Sequence, residues 1–234
     1  MGSVLNRRGL FAGALACGCL TAGLHAHAAD PVAAGKTKLS ADEAIELLRR
    51  GNDDFVNDRQ VTAAVNRARR LEIAAGQSPF AVLVGCSDSR VAPELLFGRG
   101  LGELFIVRVA GNSVDRTALG SIQYGVAELG CPAVVVLGHE RCGAVQAAVK
   151  VVTEDAVFPG AIGDMVAPII PAVLAAQRMK GDLVANSVKQ NALRVARRLR
   201  ETDDILAGAV AGGKVKVVAA YYGLENGAVE FMPV

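Results

Sequence analysis

Short apolar runs alternate along this chain with longer stretches in which apolar residues recur every three or four positions. Four of the short runs read as buried strands: residues 80–84, 104–109, 133–137 and 215–222. Between them the helical period dominates. Ser40 is placed to cap a helix with Glu43 at the reciprocal position, and Ile45, Leu47, Leu48 and Phe55 give that helix an apolar side. Gly51-Asn52-Asp53-Asp54 is expected to end or kink it. Residues 66–75 form a second, basic helix whose Arg67, Arg69 and Arg70 read as a solvated face, and Gly76-Gln77-Ser78-Pro79 stops it. A helical turn is expected over 93–97. Leu119, Ile122, Val126 and Leu129 mark a helix over 117–129, and another follows over 143–151. Pro168 and Pro171 predict an irregular start to a helix over 165–179. Residues 183–202 form a long amphipathic helix with Val188, Leu193, Val195, Ala196 and Leu199 inward. Asn226-Gly227 reads as a hairpin turn into a short last strand over 228–232. The expected fold is therefore α/β: a mostly parallel central sheet of about four strands with a short C-terminal edge strand, covered by helices.

Composition changes this picture at one end only. With 234 residues and 52% hydrophobic content, the chain can bury a core as a single domain. A net charge of +2 gives no argument for nucleic acid or an anionic membrane. The first residues stand apart. Arg7-Arg8 precedes an Ala/Gly/Leu-rich stretch that runs to Leu24 and then Ala26-His27-Ala28. Paired arginines, a short apolar region and a small-x-small tripeptide are the parts of a cleavable export signal, and they resemble the twin-arginine type. An ordinary secretory signal or an uncleaved anchor are the alternatives, although the apolar stretch is short beside the roughly 20 residues of a membrane span. The expected organisation is an export signal over 1–28, a flexible lead-in over 29–38 and one domain over 39–234. A periplasmic or otherwise exported protein follows, with no stable membrane anchor after cleavage.

Cleavage after Ala28 sharpens the chemistry. Losing Arg7 and Arg8 brings the 25 basic residues level with the 23 acidic ones. The remaining cysteines are Cys86, Cys131 and Cys142, and the remaining histidine is His139. Three cysteines do not make a disulfide framework. Cys86 follows the strand run 80–84, whereas His139 and Cys142 sit three apart just after 133–137, so both arms lie where open α/β sheets place their sites. Two thiolates and an imidazole suit zinc, and three protein ligands leave a fourth position open, as in catalytic zinc sites. Asp88 and Arg90 lie two apart beside Cys86. They read either as a structural ion pair or as a carboxylate held ionised by its guanidinium and aimed at the fourth metal position. Asp88 could also swing in as a fourth ligand. Cys131 reads as a packed thiol.

Together, Cys86-Ser87-Asp88-Ser89-Arg90 and Gly138-His139-Glu140-Arg141-Cys142-Gly143 resemble the β-class carbonic anhydrases, over roughly residues 39–234. The resemblance implies one zinc ion per subunit on Cys86, His139 and Cys142, with Asp88 and Arg90 as the catalytic dyad. It also implies reversible hydration of carbon dioxide to bicarbonate and a proton through attack by zinc-bound hydroxide. Gln77, Phe105 and Tyr124 match residues that line the substrate pocket in the plant-like branch, where they can come from the neighbouring subunit. A homodimer, alone or paired into tetramers, is therefore implied, with the N-terminal helices packing on a partner. The absence of tryptophan puts in doubt the inhibitory bicarbonate site of some bacterial members. With His139 the only histidine outside the signal, proton export is expected to depend on buffer, or on a relay through a carboxylate or Tyr124. The alternatives are a carbon disulfide or carbonyl sulfide hydrolase on the same scaffold, a non-catalytic zinc or bicarbonate-binding module, and a thiol-redox protein. The last lacks a C-x-x-C.

Overall fold

A computed structural model describes residues 35–59, 63–201 and 204–234. The export-signal reading and most of the lead-in lie outside the described residues. Chain order is α1 (Ala41–Val56), α2 (Arg67–Ile73), β1 (Ala81–Gly85), α3 (Pro93–Leu96), β2 (Leu104–Arg108), α4 (Arg116–Ala127) and β3 (Ala133–His139). After these come α5 (Gly143–Glu154), α6 (Gly160–Val166), α7 (Ile170–Ala176), α8 (Leu183–Glu201), α9 (Asp204–Ala211), β4 (Lys216–Tyr222) and β5 (Val229–Met232). The five strands form one sheet in the order β2-β1-β3-β4-β5. The first four run parallel, and β5 returns antiparallel along β4 at the edge.

Every residue of β1 and β3 is buried, because helices cover both faces of the sheet. Alternate side chains supply the two layers. Val82, Val84, Val134 and Val136 pack under α4, α8 and α9 with Ile122, Ala192, Leu199 and Leu206. Ala81, Leu83, Val135 and Leu137 face the other way, onto Ala44 and Leu48 of α1 and Phe97 after α3. A third cluster, around α5, α6 and α7, encloses Cys86 and Cys142. Among the described residues no helix is long and apolar enough to cross a membrane.

The capping box at Ser40 and Glu43 forms as the sequence predicts. Three elements differ from expectation. α1 runs straight through Gly51-Asn52 to Val56 instead of ending or kinking there. Gly51 is needed for contact: a Cβ built there would stand 1.9 Å from the Phe97 carbonyl oxygen. Buried Asn52 supports the same junction, donating to the Gly227 carbonyl at 2.9 Å and accepting from the Val229 N–H at 2.8 Å. α6 starts directly after Pro159, earlier than the expected helix over 165–179, although the irregular start expected at Pro168 is present as a 3-10 turn between α6 and α7. α9 has no counterpart in the expected pattern: its run of small residues, Asp-Ile-Leu-Ala-Gly-Ala-Val-Ala, buries chiefly Leu206.

Because the Phe97 backbone leaves no room beside Gly51, Gly51→Ala is expected to cost roughly 1–3 kcal/mol and lower the melting temperature by about 3–10 °C. Thermal and urea unfolding followed by circular dichroism would check this.

Candidate metal centre

β1 and β3 are neighbours in register, with Gly85 level with Leu137. The residue after β1, Cys86, therefore stands beside Gly138 and His139 at the carboxyl end of β3. This is also where the strand order reverses, since β2 lies on one side of β1 and β3 on the other. Cys142 is the N-cap residue of α5, three residues on. The ligand atoms of Cys86, His139 and Cys142 lie within 4.8 Å of one another, and all three residues are buried. α8 closes over this end of β3 so tightly that a Cβ on Gly138 would meet Val188 at 2.8 Å.

Each donor is prepared for a metal. His139 Nδ1 lies 2.9 Å from the Glu140 carbonyl oxygen, which can only accept, so Nδ1 carries the proton and Nε2 presents a lone pair. That Nε2 is buried and has no hydrogen-bond partner. The two sulfurs are 3.9 Å apart. Two thiolates about 2.3 Å from one tetrahedral ion stand about 3.8 Å apart, so this spacing fits a shared metal. It is far too long for a disulfide, whose sulfurs bond at about 2.05 Å. The Gly111 N–H donates to Cys86 Sγ at 3.2 Å. With the Cys142 thiol also donating, Cys86 is held toward thiolate, while Cys142 is pushed upward by the same sharing and by burial. Binding a cation would release the protons that the two thiols still carry.

Asp88 borders the cluster, its Oδ2 3.8 Å from His139 Nε2. Arg90 holds it in a two-pronged pair, Nε to Oδ1 at 2.9 Å and Nη2 to Oδ2 at 2.8 Å, and the Arg90 N–H adds a third bond at 3.0 Å. These bonds hold the Asp88 carboxyl well below the usual carboxylate range, the Arg90 side chain contributing most. The Asp88 side chain is 17% exposed and that of Arg90 51%, so the pair sits at the mouth of the site.

The fold places these donors where a carbonic anhydrase would need them, and comparison with known proteins agrees. The carbonic anhydrase family model matches residues 81–229. The chain belongs to the β-class carbonic anhydrases. Carbonic anhydrase 2 of Mycobacterium tuberculosis is 37% identical over 184 residues, 79% of this chain and 89% of that one. The carbonic anhydrase of Mycolicibacterium smegmatis is 36% identical over 187 residues, 80% and 91% of the two chains. Among solved structures, a tetrameric β-carbonic anhydrase of Sordaria macrospora superposes with a TM-score of 0.65 at 22% identity, covering 72% of this chain and 88% of that one. A Coccomyxa β-carbonic anhydrase in complex with acetazolamide gives 0.58 at 24%, covering 80% and 83%.

The carbonic anhydrase site brings together five of the residues that the sequence singles out: Cys86, Asp88, Arg90, His139 and Cys142. It does not bring in the other three. Gln77 precedes β1, so it lies at the amino ends of the parallel strands, away from Cys86. Phe105 is level with Val82, near the start of β1, and its ring stacks 6.2 Å from that of Tyr124 on α4. Cys131 is buried in the sheet core, donates to the Pro79 carbonyl at 3.3 Å, and burial pushes its thiol up to about 12. It behaves as the packed thiol that its sequence context predicts.

Three residues that sequence reasoning left without a role hold the carbonic anhydrase site in place. Arg108 reaches back from β2 to the carbonyls of Cys86, at 2.9 Å, and Asp88, at 2.6 Å. Gly111 serves the Cys86 sulfur through its backbone, in a left-handed conformation at φ 67°. Glu140 is the most connected. Its N–H donates to the Tyr222 carbonyl at 2.8 Å, its carbonyl fixes the His139 tautomer, and its Oε2 accepts the Leu224 N–H at 2.9 Å. It ties the metal turn to the loop between β4 and β5. Spacing alone could not reveal this, because Leu224 is 84 residues away.

Removing the Glu140 carboxylate leaves the Leu224 N–H unpaired and the metal turn less restrained. Glu140→Ala is expected to weaken affinity for added Zn2+ about tenfold, whereas Glu140→Gln, which keeps an acceptor oxygen, loses less. Competition with a chromogenic chelator would measure both.

Proposed function

We propose that this protein holds one zinc ion per subunit on Cys86, His139 and Cys142 and interconverts carbon dioxide with bicarbonate and a proton. The observation that carries this reading is the buried, partnerless Nε2 of His139 facing two sulfurs, with an arginine-held carboxylate alongside. When bound, zinc supplies a Lewis acid that turns water into a nucleophile near neutral pH. The remaining steps fall to the chain. Arg90 occupies one edge of the Asp88 carboxylate, so Asp88 stays ionised and accepts a hydrogen bond at Oδ2, on the side facing the cluster, orienting the group that donates it. Val145, Ile169, Val173 and Val188 surround the sulfurs and exclude bulk water. No histidine other than His139 occurs among the described residues, and His139 is fully buried, so the proton leaves to buffer.

Gln77, Phe105 and Tyr124 are proposed to line the substrate pocket of a neighbouring subunit, as in the plant-like branch. Their position away from the metal cluster of their own chain supports this reading. Exposed apolar side chains also favour an assembly: Tyr124 is 50% exposed, Val65 56% and Leu71 59%, and α2 buries no residue within its own chain. α1, by contrast, packs Ala44 and Leu48 onto its own sheet. The assembly proposed is a homodimer, with pairing into tetramers. The paired arginines and Ala26-His27-Ala28 support export by the twin-arginine route with cleavage after Ala28, leaving one domain over 39–234 in the periplasm.

Stopped-flow carbon dioxide hydration is the first test. Zinc-dependent turnover that rises with buffer concentration is expected at pH 8.5, and Asp88→Asn should lower it about 100-fold or more. Zinc retained without turnover would point instead to a binding module, and turnover of carbonyl sulfide alone to the sulfur substrate. A second experiment addresses the shared pocket. Subunits carrying Gln77→Ala and subunits carrying Asp88→Asn should each be impaired alone. Mixed in equal amounts and exchanged at random, they should recover about a quarter of wild-type activity, because half of the dimers are then mixed and one of the two sites in each joins an intact Asp88 to a partner's intact Gln77. No recovery after exchange would place Gln77 outside the partner's site.

A further inference from the structure

The loop between β2 and α4 carries a hydroxyl that nothing among the described residues satisfies. Ser113 is 9% exposed, and its Oγ has no hydrogen-bond partner. A buried hydroxyl left unpaired is destabilising, so such a group calls for an explanation. Ser113 lines a cleft of about 430 Å3 between this loop and α8, within the size range of small-molecule sites.

The charge in the cleft is one-sided. α8 contributes Arg194, Arg197 and Arg198, at the i, i+3 and i+4 spacing that puts them on one face, and among the described residues Glu201 is the only acid in the lining. Arg198 is already engaged, donating to the Val114 carbonyl and so holding the loop against the helix. Asn191 is engaged too, its Nδ2 donating to the Gly111 carbonyl at 2.8 Å. Arg194 and Arg197 have no ion pair or hydrogen bond among the described residues. Complementing the negative end of a helix accounts for arginines in its last turn, Arg198 and Arg200, but not for Arg194, which lies well before it. Pro168 and Pro171 form an apolar wall opposite.

We propose that this cleft binds a small organic oxyanion, a carboxylate or phosphate monoester with a short apolar body, at a place separate from the metal centre. Guanidinium groups only donate, and their planar fork matches two oxygens of a carboxylate or phosphate. Ser113 Oγ–H adds a neutral donor at the base, and the proline wall takes the hydrocarbon part. A fully inorganic ion would leave that wall bare.

Isothermal titration of the zinc-loaded full chain with phenyl phosphate, benzoate and inorganic phosphate would test this, with benzyl alcohol as the uncharged control. Saturable binding of phenyl phosphate or benzoate, weaker for inorganic phosphate and undetectable for benzyl alcohol, is expected; the stronger of the two names the head group. The double variant Arg194→Gln/Arg197→Gln should raise the dissociation constant at least tenfold, with melting temperature and carbon dioxide turnover unchanged. Ser113→Ala should give a smaller loss. Anions also reach metals, so binding that persists unchanged in the double variant belongs to the zinc and overturns the proposal. Absence of any binding up to about 10 mM ligand, the weak limit of specific recognition, overturns it equally.

Discussion

The parallel pairing of β1 with β3 is the constraint on which the site depends. The ladder runs from Ala81 against Ala133 to Gly85 against Leu137, and it ends where the side chains change from aliphatic to metal-ligating. A one-residue slip would do more than misplace Cys86. Side chains alternate between faces, so it would turn Val82 and Val84 out of one layer and Leu83 out of the other. The two packed faces therefore hold the register, and the register holds Cys86 beside His139. Helices on both sides are what allow such apolar strands, and those same helices deliver Cys142 and enclose the sulfurs.

Around that fixed point, the polar groups form a set of backbone clamps. Arg108 grips the carbonyls of Cys86 and Asp88, Glu140 grips the β4–β5 loop, and the Arg141 carbonyl takes a long bond of 3.4 Å from Arg90. Arg141 can present its carbonyl there because it sits in the left-handed region at φ 52°. Catalytic groups are useful only when held within a fraction of an ångström, and loops do not achieve this by themselves. Here each loop bearing a ligand is tied to a strand or helix that the core already fixes.

How much of this was legible in the sequence follows from which interactions are local. Strand ends, the Ser40 capping box, and the spacing of His139 and Cys142 are short-range features, and they read correctly. So did the position of Cys86, because an apolar run ending in Gly-Cys-Ser-Asp exposes its own chemistry. What failed to read depends on contacts between distant residues. Gly51 looked like a helix stop, because nothing nearby in sequence shows the Phe97 backbone that excludes a side chain. α9 has too few large apolar residues to show a period. Glu140 gave no signal, since its partner is an amide N–H that any residue could supply. Gln77, Phe105 and Tyr124 could be named only by family likeness, and one chain holds them apart from the metal.

The sulfur pair also bears on the order of events in the protein's life. Cys86 and Cys142 are buried with their sulfurs 3.9 Å apart, on a strand end and a helix cap that the core holds in place. In the unfolded chain nothing keeps them apart, and an oxidising compartment would join them, or either one with Cys131, in a disulfide of about 2.05 Å between sulfurs. Once the sheet has formed, Cys86 at its strand end and Cys142 at its helix cap are held at the longer spacing. On the proposed export route, a chain that crosses already folded meets the oxidising side with its thiols positioned and enclosed. A chain that crosses unfolded meets it with its thiols free and no structure to direct them. If the proposed route is the right one, folding before export keeps the two buried sulfurs out of a disulfide.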